Sequence, residues 1–273
     1  MKMKRALTAA LVALAFLSAP VVAQEQPVYL WINFVKAKPG QGEALTKLMI
    51  EEDAKVFDPL VASGAAGDWG IAMPVVHDGN DTYSHVEWIS FVGWAGADAF
   101  MKAFWEQRAK VSESDRKSME AQWDAAVEPG SHADLITRNV YVGKDTSERP
   151  TYINLGYHKA MPGKFDDLGK LFREVGPPVF EKLMAEGKVI NYGLETIDIH
   201  RGQDWNYMTW YTSKDLATRD VVDAGFDAAW AARSEEESKA LSQRFMDARD
   251  WSGHSDQILV VVHYKSRDSQ KPE

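Results

Sequence analysis

The stretch "YLWINFVKAKPGQGEALTKL", residues 29–48, decides the fold because the chain repeats it. Residues 152–171, "YINLGYHKAMPGKFDDLGKL", align with it at an offset of 123 and without a gap. Between 29–81 and 152–204, 18 of 53 residue pairs are identical. After a one-residue slip the match resumes at an offset of 122 and reaches "HADLI" at 132 and "HSDQI" at 254. A repeat of this length predicts that one structural unit is built twice.

Each copy shows the same order of elements. A strand rich in aromatic and β-branched residues ends at a Pro-Gly turn, and an amphipathic helix follows. The apolar face of this helix carries Leu45, Leu48, Met49 and Val56, and in the second copy Leu168, Leu171, Phe172 and Val175. Two strands, a pair of helices and a last strand complete the copy. We expect the first helix of the second copy to break at Gly176-Pro177-Pro178, because proline lacks the N–H donor that a helix requires.

The order β-α-β-β-α-β is that of a ferredoxin-like unit, whose sheet carries helices on one face only. Two such units in one chain can cover each other's open face. We therefore predict an α+β fold in which two tandem ferredoxin-like units, residues 27–145 and 150–266, form an intrachain pseudo-dimeric α/β barrel. In this respect the chain resembles the dimeric α/β-barrel superfamily, whose relatives include antibiotic-biosynthesis monooxygenases and NIPSNAP-like proteins. The resemblance covers about residues 27–266 and depends on element order and duplication, so it bears on fold more than on function.

The N-terminal residues 1–23 fit a secretory signal peptide, with basic residues at 2, 4 and 5, an apolar run and a small-residue cleavage site. Removing these three charges changes the formal net charge from −9 to −12. Such an acidic surface disfavours nucleic acid and anionic lipid as partners. We expect a periplasmic or secreted protein that leaves the membrane once the signal is cleaved, with a disordered tail at 267–273.

Two histidine-containing loops, His77–Asp81 and His200–Asp204, have the composition of metal sites. Each separates the second and third strands of its copy, where Gly79 and Gly202 suit a hairpin turn. Asp78 of the first loop is matched by arginine in the second, which would repel a shared cation. We therefore interpret the loops as hairpin corners and predict no metal site.

The first strand of each copy has an apolar face and a mixed face. The apolar set is Leu30, Ile32 and Phe34, matched by Ile153, Leu155 and Tyr157, and we expect it to pack under the helices. The mixed set is Trp31 and Asn33 with Asn154 and His158, and we expect it to line a pocket inside the barrel. His158 replaces Val35, so the fold does not require it. It is either a catalytic residue or a hydrogen-bonded core histidine.

On the third strand, Tyr83, His85 and Glu87 are expected to share a face. In the second copy, Tyr207 aligns with His85. Glu87 could raise the pKa of His85 and form a general acid/base pair with it. The alternative is a solvent-facing ion pair. His132 and His254 each precede an aspartate by two residues, which suits either a structural hydrogen bond or a pair of pocket residues.

Three functions remain open. The resemblance implies an enzyme of oxygenase, isomerase or lyase type that acts on a small aromatic or apolar compound without a cofactor. Its candidate catalytic residues are His158, His85 and Glu87, and its candidate ligand-binding residues are Trp31, Asn33, Asn154, Tyr83, Tyr207, His132 and His254. The alternative is a non-catalytic periplasmic binding or stress-response module that uses the same cavity. A haem binder is the third, since some barrel relatives hold haem through a histidine. Further association into a homo-oligomer is compatible with each.

Overall fold

The computed structural model describes residues 27–76, 83–143, 148–199 and 204–267. The residues outside these ranges include the predicted signal segment 1–23, the first loop His77–Asp81, the second loop as far as residue 203 and the tail from residue 268. The strands are β1 (Val28–Val35), β2 (Asp68–Pro74), β3 (His85–Val92), β4 (Ala133–Val142), β5 (Tyr152–Ala160), β6 (Asn191–Ile199), β7 (Tyr207–Ser213) and β8 (Arg249–Ser266). The helices are α1 (Gly42–Ser63), α2 (Gly93–Arg108), α3 (Glu113–Ala126), α4 (Phe165–Ala185), α5 (Thr218–Ala231) and α6 (Glu235–Ala248).

All eight strands form one closed barrel in the order β1-β3-β2-β8-β5-β7-β6-β4. The first four lie in the order β4-β1-β3-β2 and the last four in the order β8-β5-β7-β6, so the two halves have the same arrangement. β2 pairs with β8 and β4 pairs with β6, and these two seams close the barrel. Because every neighbouring pair is antiparallel, β1 and β5 begin at the same end. The predicted α+β class and the eight-stranded barrel are confirmed.

The helices pack on the outside of the barrel. In the first half, the predicted apolar face of α1 is buried at Leu45, Leu48, Met49 and Val56. It contacts the strand residue Val35 in the same core cluster. A separate cluster inside the barrel contains Ile32, Leu135, Leu259 and other strand residues but no residue from a helix. The protein therefore has one core inside the barrel and others between the sheet and its helices. No helix of the described ranges is both long enough and apolar enough to cross a membrane.

The predicted facing of β1 and β5 is wrong. Leu30, Ile32, Phe34, Ile153, Leu155 and Tyr157 belong to the cluster inside the barrel rather than packing under the helices. Trp31 and Val35 face the helices instead. Both faces of a strand are covered in a barrel that is wrapped by helices, so alternation separates two sets of residues without telling which set points inward.

The predicted break in the second long helix is also wrong, because α4 runs continuously through Pro177 and Pro178. A proline inside a helix costs about 3 kcal/mol of helix stability. Burial on both sides of the prolines offsets this cost, with Leu171 before them and Val179 and Leu183 after them. The first half tolerates a proline in the same way at Pro59 of α1.

The last helix of each half begins at a capping serine. The hydroxyl of Ser234 accepts from the backbone N–H of Glu237, whose carboxylate accepts from the backbone N–H of Ser234, which completes a capping box. In the first half, Ser112 accepts from the backbone N–H of Asp115.

A tryptophan covers a glycine on the neighbouring strand in each half. Trp88 lies beside Gly70 and Trp210 beside Gly193. A Cβ added at Gly70 would lie 2.3 Å from Cζ2 of Trp88 and 2.9 Å from the backbone oxygen of His263. The two glycines therefore make room for indole rings.

We expect Gly70→Ala to lower the free energy of unfolding by about 1–3 kcal/mol, because neither the ring nor the backbone oxygen can move away freely. Gly42→Ala is the control, since a Cβ there meets nothing within 4 Å. Urea unfolding measures both variants. Equal stability of the two would contradict the packing of Trp88 on Gly70.

Candidate functional site

A cavity of about 360 Å³ occupies the inside of the barrel. Its walls are mainly apolar and include Leu30, Ile32, Trp88, Ile153, Leu155, Met208, Trp210, Leu259 and Tyr264. It opens at the end where β1 and β5 begin, since the lining there includes Val92 and Val142, which are 54% and 46% exposed. Cavities of this size and character commonly hold small apolar molecules.

Aromatic rings close the opposite end of the barrel. Phe34 and Tyr157 form the floor of the cavity. Behind them, the ring centroid of Tyr83 lies 4.9 Å from that of Phe34, and Trp205 lies 4.8 Å from Tyr157. The hydroxyl of Tyr83 donates to Gln257. Tyr83 was predicted to bind a ligand, but it supports the floor of the cavity rather than lining it.

One carboxyl group, that of Glu195 on β6, lies deep in the cavity wall, where the residue is 1% exposed. The hydroxyl of Thr137 donates to its Oε2, whereas its Oε1 makes no hydrogen bond of normal geometry to the described residues and the indole of Trp210 lies nearby. Burial raises the pKa of Glu195 to about 7, against the opposing effects of Thr137 and the nearby indole of Trp210. The carboxyl group therefore exists in both protonation states near neutral pH, which is the property that a general acid or base requires.

Two further polar atoms lie beside Glu195. Asn139 is its neighbour across the β4–β6 seam, and both Asn139 and Trp210 line the cavity. Oδ1 of Asn139 and Nε1 of Trp210 are buried without a hydrogen bond of normal geometry to the described residues. Because buried polar groups are normally paired, this corner suits a hydroxyl or carbonyl group of a bound molecule.

This polar corner is present in one half of the chain only. At the matching positions of the other half, Ala72 replaces Glu195 and Leu259 replaces Thr137, and both are buried in the barrel core. The barrel therefore closes with apolar residues at one seam, and the polar pair at the other is not needed for folding. Glu195 was not among the predicted site residues, although the two copies of the second strand differ there, with alanine at the matching position 72.

His85 lies outside the cavity, between β3 and α1. It is fully buried, with Nε2 2.8 Å from the hydroxyl of Thr46 and Nδ1 2.8 Å from that of Ser84. Burial lowers the pKa of His85 to about 4. The imidazole is therefore neutral and held on both sides, as a structural histidine is.

Glu87 pairs with Asp53 of α1 rather than with His85. Asn33 donates to Oε2 of Glu87 at 3.4 Å, and a side-chain hydrogen bond joins Glu87 to Asp53. Two carboxyl groups can share a hydrogen bond only when one of them is protonated. Burial, followed by the neighbouring Asp53, raises the pKa of Glu87, and burial raises the pKa of Asp53 to about 7. The expectation that Glu87 raises the pKa of His85 is wrong, because burial lowers that pKa and the two side chains bond to Thr46 and Asp53 of α1 instead.

The other predicted ligand-binding residues of the first half also lie outside the barrel. The indole of Trp31 donates to Asp134 at 2.8 Å. The side chain of His132 is 50% exposed and lies 3.5 Å from the same carboxylate. Together with Asn33, they form a polar network on the helix side of the sheet, so their expected place in the barrel pocket is wrong.

The predicted site residues of the second half lie on the helix side as well. Nε2 of His158 is 2.8 Å from the hydroxyl of Thr209, and its ring contacts Phe172 of α4. The hydroxyl of Tyr207 donates to the backbone oxygen of Phe165 at 3.0 Å. His254 stacks on His158 at 5.2 Å between ring centroids, and Asn154 is 7% exposed. None of these four predicted residues lines the barrel cavity.

No cluster of three or more histidine, aspartate or glutamate side chains within the described ranges could hold a metal ion. The two loops for which hairpin corners were predicted lie outside those ranges, apart from Asp204. The side chain of Asp204 bonds to Lys159 on β5.

Comparison with known proteins bears on the fold. No protein-family profile matches the chain, and no curated protein matches it in sequence. A candidate monooxygenase from Fusobacterium nucleatum subsp. nucleatum superposes with a TM-score of 0.56 at 11% identity, over 89% of this chain and 95% of that chain. One from Lactobacillus acidophilus gives 0.55 at 9% identity, over 89% and 97%.

The likeness is one of fold. Because the match covers nearly all of both chains, it includes both four-stranded sheets of the barrel. The protein therefore shares its overall fold, the eight-stranded α+β barrel, with these structures. At such low identity, the superposition carries no activity from one protein to the other.

Proposed function

We propose that the protein binds a small apolar or aromatic molecule inside its barrel. The observation that carries this proposal is the cavity of about 360 Å³, whose mainly apolar wall contains a deeply buried polar corner at Glu195. Apolar walls supply most of the binding free energy, and a few polar atoms orient the ligand. The ligand then carries a hydroxyl or carbonyl group that meets Glu195, Asn139 and Trp210.

The same corner suits catalysis without a cofactor. A carboxyl group that titrates near neutral pH can remove a proton from a bound phenol or enol, or return one. An oxygenase, isomerase or lyase step of this kind would place Glu195 in the role of acid or base. The alternative is a non-catalytic binding module, in which Glu195 only recognises the ligand.

Binding can be tested with 1-naphthol and naphthalene, which differ by one hydroxyl group. We expect the protein to bind both compounds and to bind 1-naphthol at least tenfold more tightly. Leu155→Trp should abolish binding of both, because Leu155 lines the cavity and an indole would fill it. Leu216→Trp is the matched control, since Leu216 is 45% exposed on the surface. Calorimetric titration measures all three proteins, and unchanged binding by Leu155→Trp would refute the cavity as the site.

Glu195→Gln separates the two forms of the proposal. If the protein is an enzyme, this variant binds a substrate but no longer converts it. If the variant and the wild type bind equally and neither converts any compound that binds, the protein is a binding module.

We also propose that the two halves arose by tandem duplication and that the chain is exported. The 18 identities in 53 aligned pairs support the first, and the composition of residues 1–23 supports the second. N-terminal sequencing of the protein recovered from the periplasm or medium tests export, and we expect it to begin at Gln24. Retention of the intact N-terminus in the cytoplasm would contradict export.

A further inference from the structure

The geometry points to a second binding site, outside the barrel, for the oxyanion of a carboxylate or phosphate, formed by Arg249 of β8 with His158 and His254. These residues lie on the helix side of the second half, and none of them lines the barrel cavity. The proposal is therefore independent of the function proposed for the cavity.

Arg249 supplies the main argument. The residue is 8% exposed, and its Nε and Nη2 atoms are buried with no acceptor among the described residues. These two N–H groups lie along one edge of the guanidinium and form a fork that matches two oxygens of a carboxylate or phosphate. Burial lowers the pKa of Arg249 overall, and Asp256 is close enough to raise it, but Asp256 accepts a hydrogen bond from neither Nε nor Nη2. An anion bound along this edge would offset the cost of the buried charge.

His158 provides a second polar atom without a partner. The hydroxyl of Thr209 lies 2.8 Å from Nε2 of His158 and 3.3 Å from the backbone oxygen of Gly156. We assign its proton to the shorter contact, which places the ring proton of the neutral imidazole on Nδ1, as a donor. This leaves Nδ1 of His158, which is buried and has no partner among the residues that the structure describes. Burial, Arg249 and His254 all lower the pKa of His158, and the effects of Arg249 and His254 show that three basic side chains are close together.

The first half shows that the fold does not need these residues. By the offsets of the repeat, Val35 corresponds to His158 and Val127 to Arg249. The strand pairing agrees, because Ala37 faces Val127 just as Ala160 faces Arg249. Both valines are buried core residues. An imidazole and a guanidinium thus replace a packed apolar pair, which indicates that their role is not structural.

Trp251 gives the site a spectroscopic probe. Its ring lies 4.0 Å from Cζ of Arg249 and makes an edge contact with His254. The indole is 49% exposed, so it covers the guanidinium from the solvent side. An anion bound along the edge of Arg249 would change the surroundings of this ring and therefore its fluorescence.

The test uses the full mature chain with inorganic phosphate and with benzoate, at constant ionic strength maintained with chloride. We expect at least one of the two anions to change tryptophan fluorescence saturably and to raise the melting temperature, while chloride does neither. Phosphate alone would indicate a phosphate site, and benzoate alone a site for an organic carboxylate. Trp251→Phe should lose the fluorescence change and keep the thermal shift. The absence of a saturable effect of either anion on the wild type would overturn the proposal.

Two variants locate the effect. Arg249→Val introduces the residue of the first half and should remove the thermal shift. Arg249→Lys keeps the charge but loses the fork, and it should weaken binding at least tenfold. An anion response that is unchanged in Arg249→Lys would also overturn the proposal, even if Arg249→Val does not fold. Binding of 1-naphthol should be unchanged in either folded variant, which separates this site from the barrel cavity.

Discussion

Glu195→Gln is expected to be more stable than the wild type, and its gain in the free energy of unfolding should depend on pH. The gain at pH 8 should exceed the gain at pH 5 by about 2.5 kcal/mol. Burial raises the pKa of Glu195 from 4.5 to about 7 in the folded protein. Between these values the folded state keeps a proton that the unfolded state releases. The wild type therefore loses stability as the pH rises through this range, whereas glutamine does not titrate. Thr137 can still donate to the amide oxygen, so the variant should fold.

Chemical denaturation at several pH values measures this difference. Glu106→Gln is the control, because Glu106 is exposed on α2. It should shift stability by less than about 0.5 kcal/mol at every pH. The same dependence on pH in Glu195→Gln and Glu106→Gln would show that the carboxyl group of Glu195 is not buried in the barrel. It would therefore contradict the polar corner of the cavity.

Glu87→Gln is expected to be more stable than the wild type by an amount on the order of 2 kcal/mol at pH 8, with a smaller gain at pH 5. Burial and Asp53 raise the pKa of Glu87, and burial raises the pKa of Asp53 to about 7. The folded protein therefore holds protons that the unfolded chain releases, and this stability is lost as the pH rises toward 8. A glutamine keeps a hydrogen bond to Asp53 without a second charge.

The charges around the pair set the size of this effect. Arg108 lowers the pKa of Asp53, Glu52 raises it, and Asp134 raises that of Glu87. Glu106→Gln again serves as the control in the same denaturation series. A loss of stability in Glu87→Gln at pH 8 would show that Glu87 is ionised and paired with a cation. That result would contradict the hydrogen bond in which Glu87 and Asp53 share a proton.

Much of the fold could be predicted from the sequence because the chain carries two versions of it. The repeat at Tyr29 and Tyr152 gave the order of elements, and the spacing of Leu45, Leu48 and Met49 gave the buried face of α1. The direction of the strand faces could not be predicted in this way. Leu30 and Trp31 are both at least partly buried, one inside the barrel and one under the helices, so hydrophobicity does not distinguish their surroundings.

The candidate site was harder to predict for the same reason. His85, Glu87 and His158 looked functional because polar residues on a strand seldom pack in a core. In the structure, the helix side supplies them with Thr46, Asp53 and Thr209. Glu195 faces the cavity, but only the closed barrel shows that this carboxyl group is buried in a mainly apolar wall. Comparing Glu195 with Ala72 was the one signal in the sequence that could have revealed it.

The contrast between the two halves also distinguishes structural from functional residues. Positions at which both halves agree, such as Gly70 and Gly193, serve the packing of the barrel, because they make room for indole rings. Positions at which they differ hold the polar corner at Glu195 and the unpaired guanidinium of Arg249. Each half therefore acts as an internal control for the other, since it shows which residues the fold accepts in the same place.

The most direct test is a crystal structure of residues 24–273 grown with 1-naphthol. Electron density for the ring should appear between Leu30 and Leu155, with the hydroxyl oxygen within hydrogen-bond distance of Oε1 of Glu195. Ligand density confined to the helix side near Asn33 or His158, with side chains filling the inside of the barrel, would contradict the account.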